Sequence, residues 1–569
     1  MKPAPFLAST ALFLGGCAPK TSPDSAKIVA QAAKQEAKTE RDEFSGLKSA
    51  TLNGGELSGG DAQGRPLWKL SAKTIRASGG VLGKDDSGAP KTATLIDARA
   101  TLFRAGVAES TLQAPQIVLF YLKDGVRLQF AKGMKGTTQG AWTGARGPVQ
   151  IAAPRADVDV KNRLISASGG VKMSQGTLKI SAQTLRAQTS LQNVQLSGKV
   201  RAQNAQNGRI EAKTANYDWN KNRVTAQTVS ALQGGTRLSG DVLSADTDAT
   251  AGTLTGRVGA QSAQGQASAP RLDFNWKRDQ ISARDATFIA PNGTVRAANL
   301  VTDSKLRLAS AQNLVAEQDG AVLRAASASG FDGLSRLNAQ NLDFRRADLH
   351  FSAPRANARK IGSKWVLTAQ GGARGQSLQG QVNAPRVTWD ESTNRVAASG
   401  GVTLEKDGAI LRGQTLQSDT RFQNATLTGQ VRGQMKDGSI LTAQTLEKRG
   451  EKFLARNGAT AQLKTRGALG ALTLRGAQIE APADGSSALA TGGVTLRAST
   501  GATARAPRAV YDRKSGKITA TGGVDFFDPV RKLRTRGDTL IYDLNSRQAS
   551  LSNARGQGSL KLFEGKKLF

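Results

Sequence analysis

The sequence predicts an all-β protein, an elongated stack of repeating antiparallel hairpins, on three observations. Apolar and polar residues alternate in short runs, as in Arg127-Leu128-Gln129-Phe130, Val402-Thr403-Leu404 and Val494-Thr495-Leu496-Arg497. That is the period of a half-buried strand. Gly, Asn and Asp punctuate these runs at regular intervals, as hairpin turns require. A motif also recurs: Ala-Pro-Arg, a strand with an aromatic and an acidic turn, then a strand reaching Gly-Gly-Val. The 569 residues exceed the length at which single cores usually divide, so several modules or one long array are expected. Aromatics make up only 5% of the chain, which excludes a large core of Phe and Trp but not one of Val, Leu, Ile, Ala and Thr.

The first element is Met1 to Cys17. A charged start, an apolar run from Ala4 to Leu14 and Leu14-Gly15-Gly16-Cys17 have the pattern of a secretory signal with a bacterial lipobox. The apolar run is too short to span a bilayer. Cys17 is the only cysteine, so the chain makes no internal disulfide, and it falls where a lipid anchor needs a thiol. Acyl chains on Cys17 would hold the protein on a membrane. Residues 18–45, rich in Ala, Lys, Gln and Glu, read as a tether between anchor and body.

From residue 46 the strand pattern takes over, and from about 141 the repeat becomes explicit. Ala384-Pro385-Arg386-Val387-Thr388-Trp389-Asp390 leads to Arg395-Val396-Ala397-Ala398-Ser399-Gly400-Gly401-Val402. Ala506-Pro507-Arg508 leads likewise to Thr521-Gly522-Gly523-Val524, and Ala153-Pro154-Arg155 to Ser168-Gly169-Gly170-Val171. The Gly-Gly pair is expected at a corner, as a positive-φ bend or a bulge that ends the second strand. Each hairpin carries an apolar face it cannot bury alone, so stacking is expected.

These units resemble the lipopolysaccharide-transport periplasmic proteins, whose shared fold is called OstA-like. Ala509-Val510-Tyr511-Asp512 with Ile518-Thr519-Ala520-Thr521-Gly522-Gly523-Val524 is similar to that family's recurring strand pair, and 536–543 continues it in phase. Residues 46–140 are similar to the LptC branch, through Gly64-Arg65-Pro66-Leu67-Trp68-Lys69-Leu70-Ser71-Ala72, Ala100-Thr101-Leu102-Phe103-Arg104 and Thr111-Leu112-Gln113-Ala114-Pro115. Residues 141–569 are then the OstA-like array. The resemblance implies a V-shaped antiparallel β-jellyroll in the periplasm, with an apolar groove for lipopolysaccharide or another anionic lipid. It also implies partners joined edge to edge by strand pairing: other OstA-like proteins or an ABC-type lipid exporter. The 560–563 strand is the candidate terminal edge. Which membrane holds the anchor stays open.

Catalysis is not expected. His350 is the only histidine and lies in an ordinary strand pattern, so His-based triads and His/Cys metal sites lack material. The acid pairs Asp157/Asp159 and Asp246/Asp248 read as turn chemistry rather than a cleft. No phosphate loop is present and no cofactor is implied. Lipid-groove candidates are Val171, Leu178, Val387, Trp389, Val402, Leu404, Val494, Leu496, Leu540 and Tyr542, which the alternation turns inward. A groove and a dry core remain equally open for them. The balance of 79 Lys+Arg against 44 Asp+Glu gives +35, a field that attracts polyanions. Arg155, Arg386 and Arg508 recur after Ala-Pro and are the candidates for an anionic head group. The rival reading is a structural β-solenoid lipoprotein that binds anionic glycan through this basic surface. Nucleic acid is disfavoured because aromatics are too few for stacking platforms.

Overall fold

A computed structural model describes residues 49–78, 91–122, 125–138, 147–203, 208–464, 471–529, 532–546 and 548–557. Cys17, the tether and the 560–563 strand lie outside these. The described residues form antiparallel strands almost throughout, in an all-β jellyroll of stacked hairpins. They divide into two compact units, Met1–Ala226 and Gln227–Phe569.

In the second unit the strands pair in chain order, each with the one before and the one after, up to Leu533–Asp543, which pairs with both Gln548–Ser552 and Arg555–Gln557. Their burial alternates as the sequence predicts. In Arg395–Lys406, Val396, Ala398, Val402 and Leu404 are buried, and their neighbours are exposed or half-buried. Burying each such Val or Leu contributes roughly 1.5–3 kcal/mol.

The structure differs from expectation at the corner. Gly400-Gly401 does not end a strand but lies in the middle of one, and Ala384-Pro385 lies in the middle of Gly380–Asp390. The ladder between these strands runs from Gln381↔Glu405 to Asn383↔Thr403, skips, and resumes at Arg386↔Ser399. Pro385 has no N–H to lose in the skipped stretch. Gly400 and Gly401 take φ of 91° and 99°, a region natural to glycine. The same break divides most of the neighbouring pairs. A line of bulges therefore crosses this part of the unit and folds every strand into two half-strands. The period of two lapses at Gly-Gly, and in the sequence that lapse looks like a strand end.

The bend is sharp enough to bring the halves face to face. Gly375 pairs with Val382, and Trp389 lies seven residues further along that strand, about 23 Å if the strand were straight. Yet a methyl group on Gly375 would stand 3.1 Å from the Trp389 indole. Two half-sheets thus enclose the apolar residues. One holds residues such as 386–390 and 395–399, the other 380–384 and 402–406.

The first unit bends in the same place with harder breaks. Gln150–Ala153 and Arg155–Asp159 are separate strands flanking Pro154, and both pair with Leu164–Gln175. Val107–Leu122 likewise pairs with both Gly125–Phe130 and Met134–Thr138.

Candidate functional site

The space between the half-sheets is the chemically distinctive place in the fold. All ten lipid-groove candidates are buried within their own unit, from 0% exposed at Val387 and Leu404 to 7% at Tyr542. Val171 and Leu178 belong to the first unit. In the second, Val387, Trp389, Leu540 and Tyr542 lie on one half-sheet, and Val402, Leu404, Val494 and Leu496 on the other. Those of the second unit do not form one cluster but occur at successive levels of its stack. Small partners sit beside them, as Ala398 opposite Val387 and Ala520 opposite Leu540.

The interior is closed by large side chains. The Trp389 ring meets Phe422 edge-on at 5.7 Å between centroids. Trp365 on one half-sheet meets Phe344 on the other edge-on at 5.5 Å. Phe422 is fully buried although it sits in a turn, with φ of 54°. Asp419 builds that turn. Its carboxylate accepts from the backbone N–H groups of Arg421, Gln423 and Asn424 and from the Asn424 side chain. Burial raises the Asp419 pKa, but these hydrogen bonds outweigh it and hold the carboxyl below its ordinary value. Leu306 repeats the device. Asp303 accepts from the N–H of Lys305 and Arg307, and Leu306 turns inward at φ 63°, almost wholly buried. The sequence signal was available: an aspartate followed three residues later by a large apolar residue, in Asp303-Ser-Lys-Leu306 and Asp419-Thr-Arg-Phe422.

Polar contacts stitch the turn side, opposite the corner. Arg346 ends a strand of one half-sheet, and Glu391 follows a strand of the other. They form an ion pair at 2.7 Å, and Glu391 also accepts from the backbone N–H of Trp365. Arg513 and Asp437 bridge the same gap at 3.0 Å. Lys406 and Lys448 approach from opposite sides with almost wholly buried side chains. Burial pulls the Lys448 pKa down, partly countered by Asp407. No sequence signal foretold these pairs, because their partners lie tens of residues apart.

Arg155, Arg386 and Arg508 stand elsewhere. Each is exposed at the corner, on the opposite face of its strand from the buried residue that follows it. They are therefore separated from the lining. His350 hydrogen-bonds Asp343 at 2.8 Å on the outer face, where Arg345 also holds the carboxylate. Burial pushes the Asp343 pKa up, and the bonds from Arg345 and His350 bring it net below its usual value. Among the described residues no three His, Cys, Asp or Glu side chains converge as a metal site, and no helix is long and apolar enough to cross a membrane.

The corner is what recurs. Pro154 packs on Gly169, Pro385 on Gly400 and Pro507 on Gly522, with 3.4, 3.2 and 3.1 Å to a methyl group built on each glycine. Residues 150–250, which contain the first of these corners, match the family described as LptA/(LptD N-terminal domain) LPS transport protein. No curated protein matches the chain.

Proposed function

From a chain that carries an OstA-like lipopolysaccharide-transport domain over residues 150–250, we propose a periplasmic lipid bridge. The chain would carry lipopolysaccharide, or a similar anionic lipid, with the acyl chains between the half-sheets and the head group outside. Cys17, acylated, would tether it to a membrane. Exposed strand edges would join it to other OstA-like proteins or to an ABC-type exporter by strand addition. Motive force would come from such a partner. Residues 46–140 would act as an LptC-like module ahead of the 141–569 array.

One observation supports this most. The Pro-on-Gly corner of the family-matched segment recurs at Pro385/Gly400 and Pro507/Gly522, and the same inward apolar alternation accompanies it. The corner and its apolar lining thus recur beyond the matched residues, which supports the same use there. The lining is buried by the chain's own side chains, so loading requires the half-sheets to part. The glycine corner is the hinge this reading uses, and the turn side, held by contacts such as Arg346–Glu391, is the opening edge.

The test places photo-crosslinking residues at the inward positions Val402 and Leu496 and at their outward neighbours Thr403 and Thr495. Adducts with lipopolysaccharide in cells at the inward pair alone are expected. Equal labelling of both pairs, or none at the inward pair while a known carrier labels, would remove the reading.

A further inference from the structure

The outer face of the corner in the second unit carries two adjacent rows of residues. In the first row, register partners follow one another from Thr255↔Arg271 to Thr539↔Ser552. Between these ends every member is Ser, Thr, Asn, Gln or Arg, and none is acidic. Arg355, Arg386 and Arg508 of this row have no hydrogen-bond or ion-pair partner among the described residues. The second row flanks the corner on the other half-sheet. It runs through Arg374, Asn383, Thr403, Arg412, Arg432, Thr442 and Thr460 to Arg475, Thr495 and Arg505, and reaches Asp525, which faces Arg505. Rungs repeat about every 4.8 Å.

Two features show that this pattern is not mere solubilising charge. Arg412 lies directly opposite Arg432, both exposed, and their next partners in the row are Thr403 and Thr442. Like charges facing across a ladder destabilise a sheet, and an anion bound between the two would offset that cost. Beside the second row there is also a groove of about 700 Å³, lined by its Arg374, Asn383 and Thr403 and by the corner residues Pro354, Pro385 and Gly401 among others. The paired glycines leave it open, since Gly401 has nothing within 4 Å of where a side chain would begin.

We propose that this corner track binds a linear acidic polysaccharide lying along the stack. Arginine forks pair with carboxylate or phosphate groups, and the hydroxyl and amide rungs pair with sugar hydroxyls. A single-stranded nucleic acid would want aromatic platforms, and neither row contains an aromatic residue. The track lies on the outer face and does not involve the interior, so it stands or falls apart from the lipid reading.

The experiment measures binding of the full-length chain to polygalacturonate, to dextran of matched length and to a single-stranded oligonucleotide of matched charge, across a salt series. One variant combines Arg386→Ser, Arg412→Ser, Arg432→Ser and Arg508→Ser. A control combines Arg278→Ser, Arg336→Ser, Arg395→Ser and Arg421→Ser, all exposed at the turn edge. Polygalacturonate should bind best, with an affinity that falls as salt rises. The corner variant should lose on the order of tenfold and show a shallower salt dependence, while the control changes little. Lysine at the same four corner positions keeps the charge and should recover part of the loss. Equal loss in the control, equal binding of dextran, or an oligonucleotide bound as tightly as polygalacturonate would overturn the proposal.

Discussion

Pro385 lies against Gly400 across the strand ladder, where a methyl group on the glycine would stand 3.2 Å from the proline Cβ and Cγ. Gly401, one residue on, has a similar φ and open space around it. The two glycines are thus required for different reasons, one by backbone conformation alone and the other by conformation and contact.

Gly401→Ala therefore isolates the backbone cost, expected at about 1–2 kcal/mol. Gly400→Ala adds the clash with Pro385 and should cost more. Denaturant unfolding of the two variants, compared at equal m-value, measures the difference. Equal midpoints would show that the proline yields freely.

Phe422 closes the interior from a turn, buried against Trp389 and within 3.0 Å of a methyl group placed on Gly380. Phe422→Ala removes that plug and should destabilise the second unit by about 3–5 kcal/mol. Leu306→Ala, which empties a smaller plug, should cost about 2–4 kcal/mol. Denaturant unfolding reads both, and a loss under 1 kcal/mol at Phe422 would mean that the site collapses without penalty.

The Asp419 turn should make stability pH-dependent in one direction. Its folded pKa lies below the ordinary 3.8. Its contribution is therefore full above the unfolded value and is lost as pH falls through the folded one. The unfolding midpoint should drop on acidification below about pH 4, and the Asp419→Asn variant should show a smaller drop. An unchanged acid profile in that variant would assign the acid sensitivity to other aspartate turns, such as Asp390, whose carboxyl is, against the effect of burial, also held below its ordinary value by hydrogen bonds.

The Arg346–Glu391 pair joins the two half-sheets at the turn side, half-buried on both partners. A double-mutant cycle with Arg346→Met and Glu391→Gln should return a coupling of about 0.5–1 kcal/mol. If the half-sheets part here to admit lipid, the single variants should also raise the yield of lipid adducts at Val402. Coupling without that rise would locate the opening elsewhere.

The sequence made some of this legible and hid the rest for physical reasons. Val387, Trp389, Val402 and Leu404 were correctly turned inward, because alternation is a local property that side-chain burial enforces. The corner was found but misplaced. Gly400-Gly401 interrupts alternation as a strand end does, and only the register with Asn383 and Arg386 shows that the strand continues. Arg346–Glu391 and Arg513–Asp437 were invisible, since half-strands that face one another meet through the bend and not through neighbouring sequence. The outer rows escaped notice for a similar reason. Arg412 and Arg432 are unremarkable singly and become a pattern only when pairing sets them side by side.

Pairing between successive strands, which holds up to Leu533–Asp543, has a consequence for how the second unit is made. No strand there waits for a distant partner, so each hairpin can close as soon as its own few dozen residues are available. Structure can then grow in one direction behind a chain that is still emerging, each new strand docking on an edge already formed. Such a chain can also gain or lose whole hairpins without rewiring the remainder.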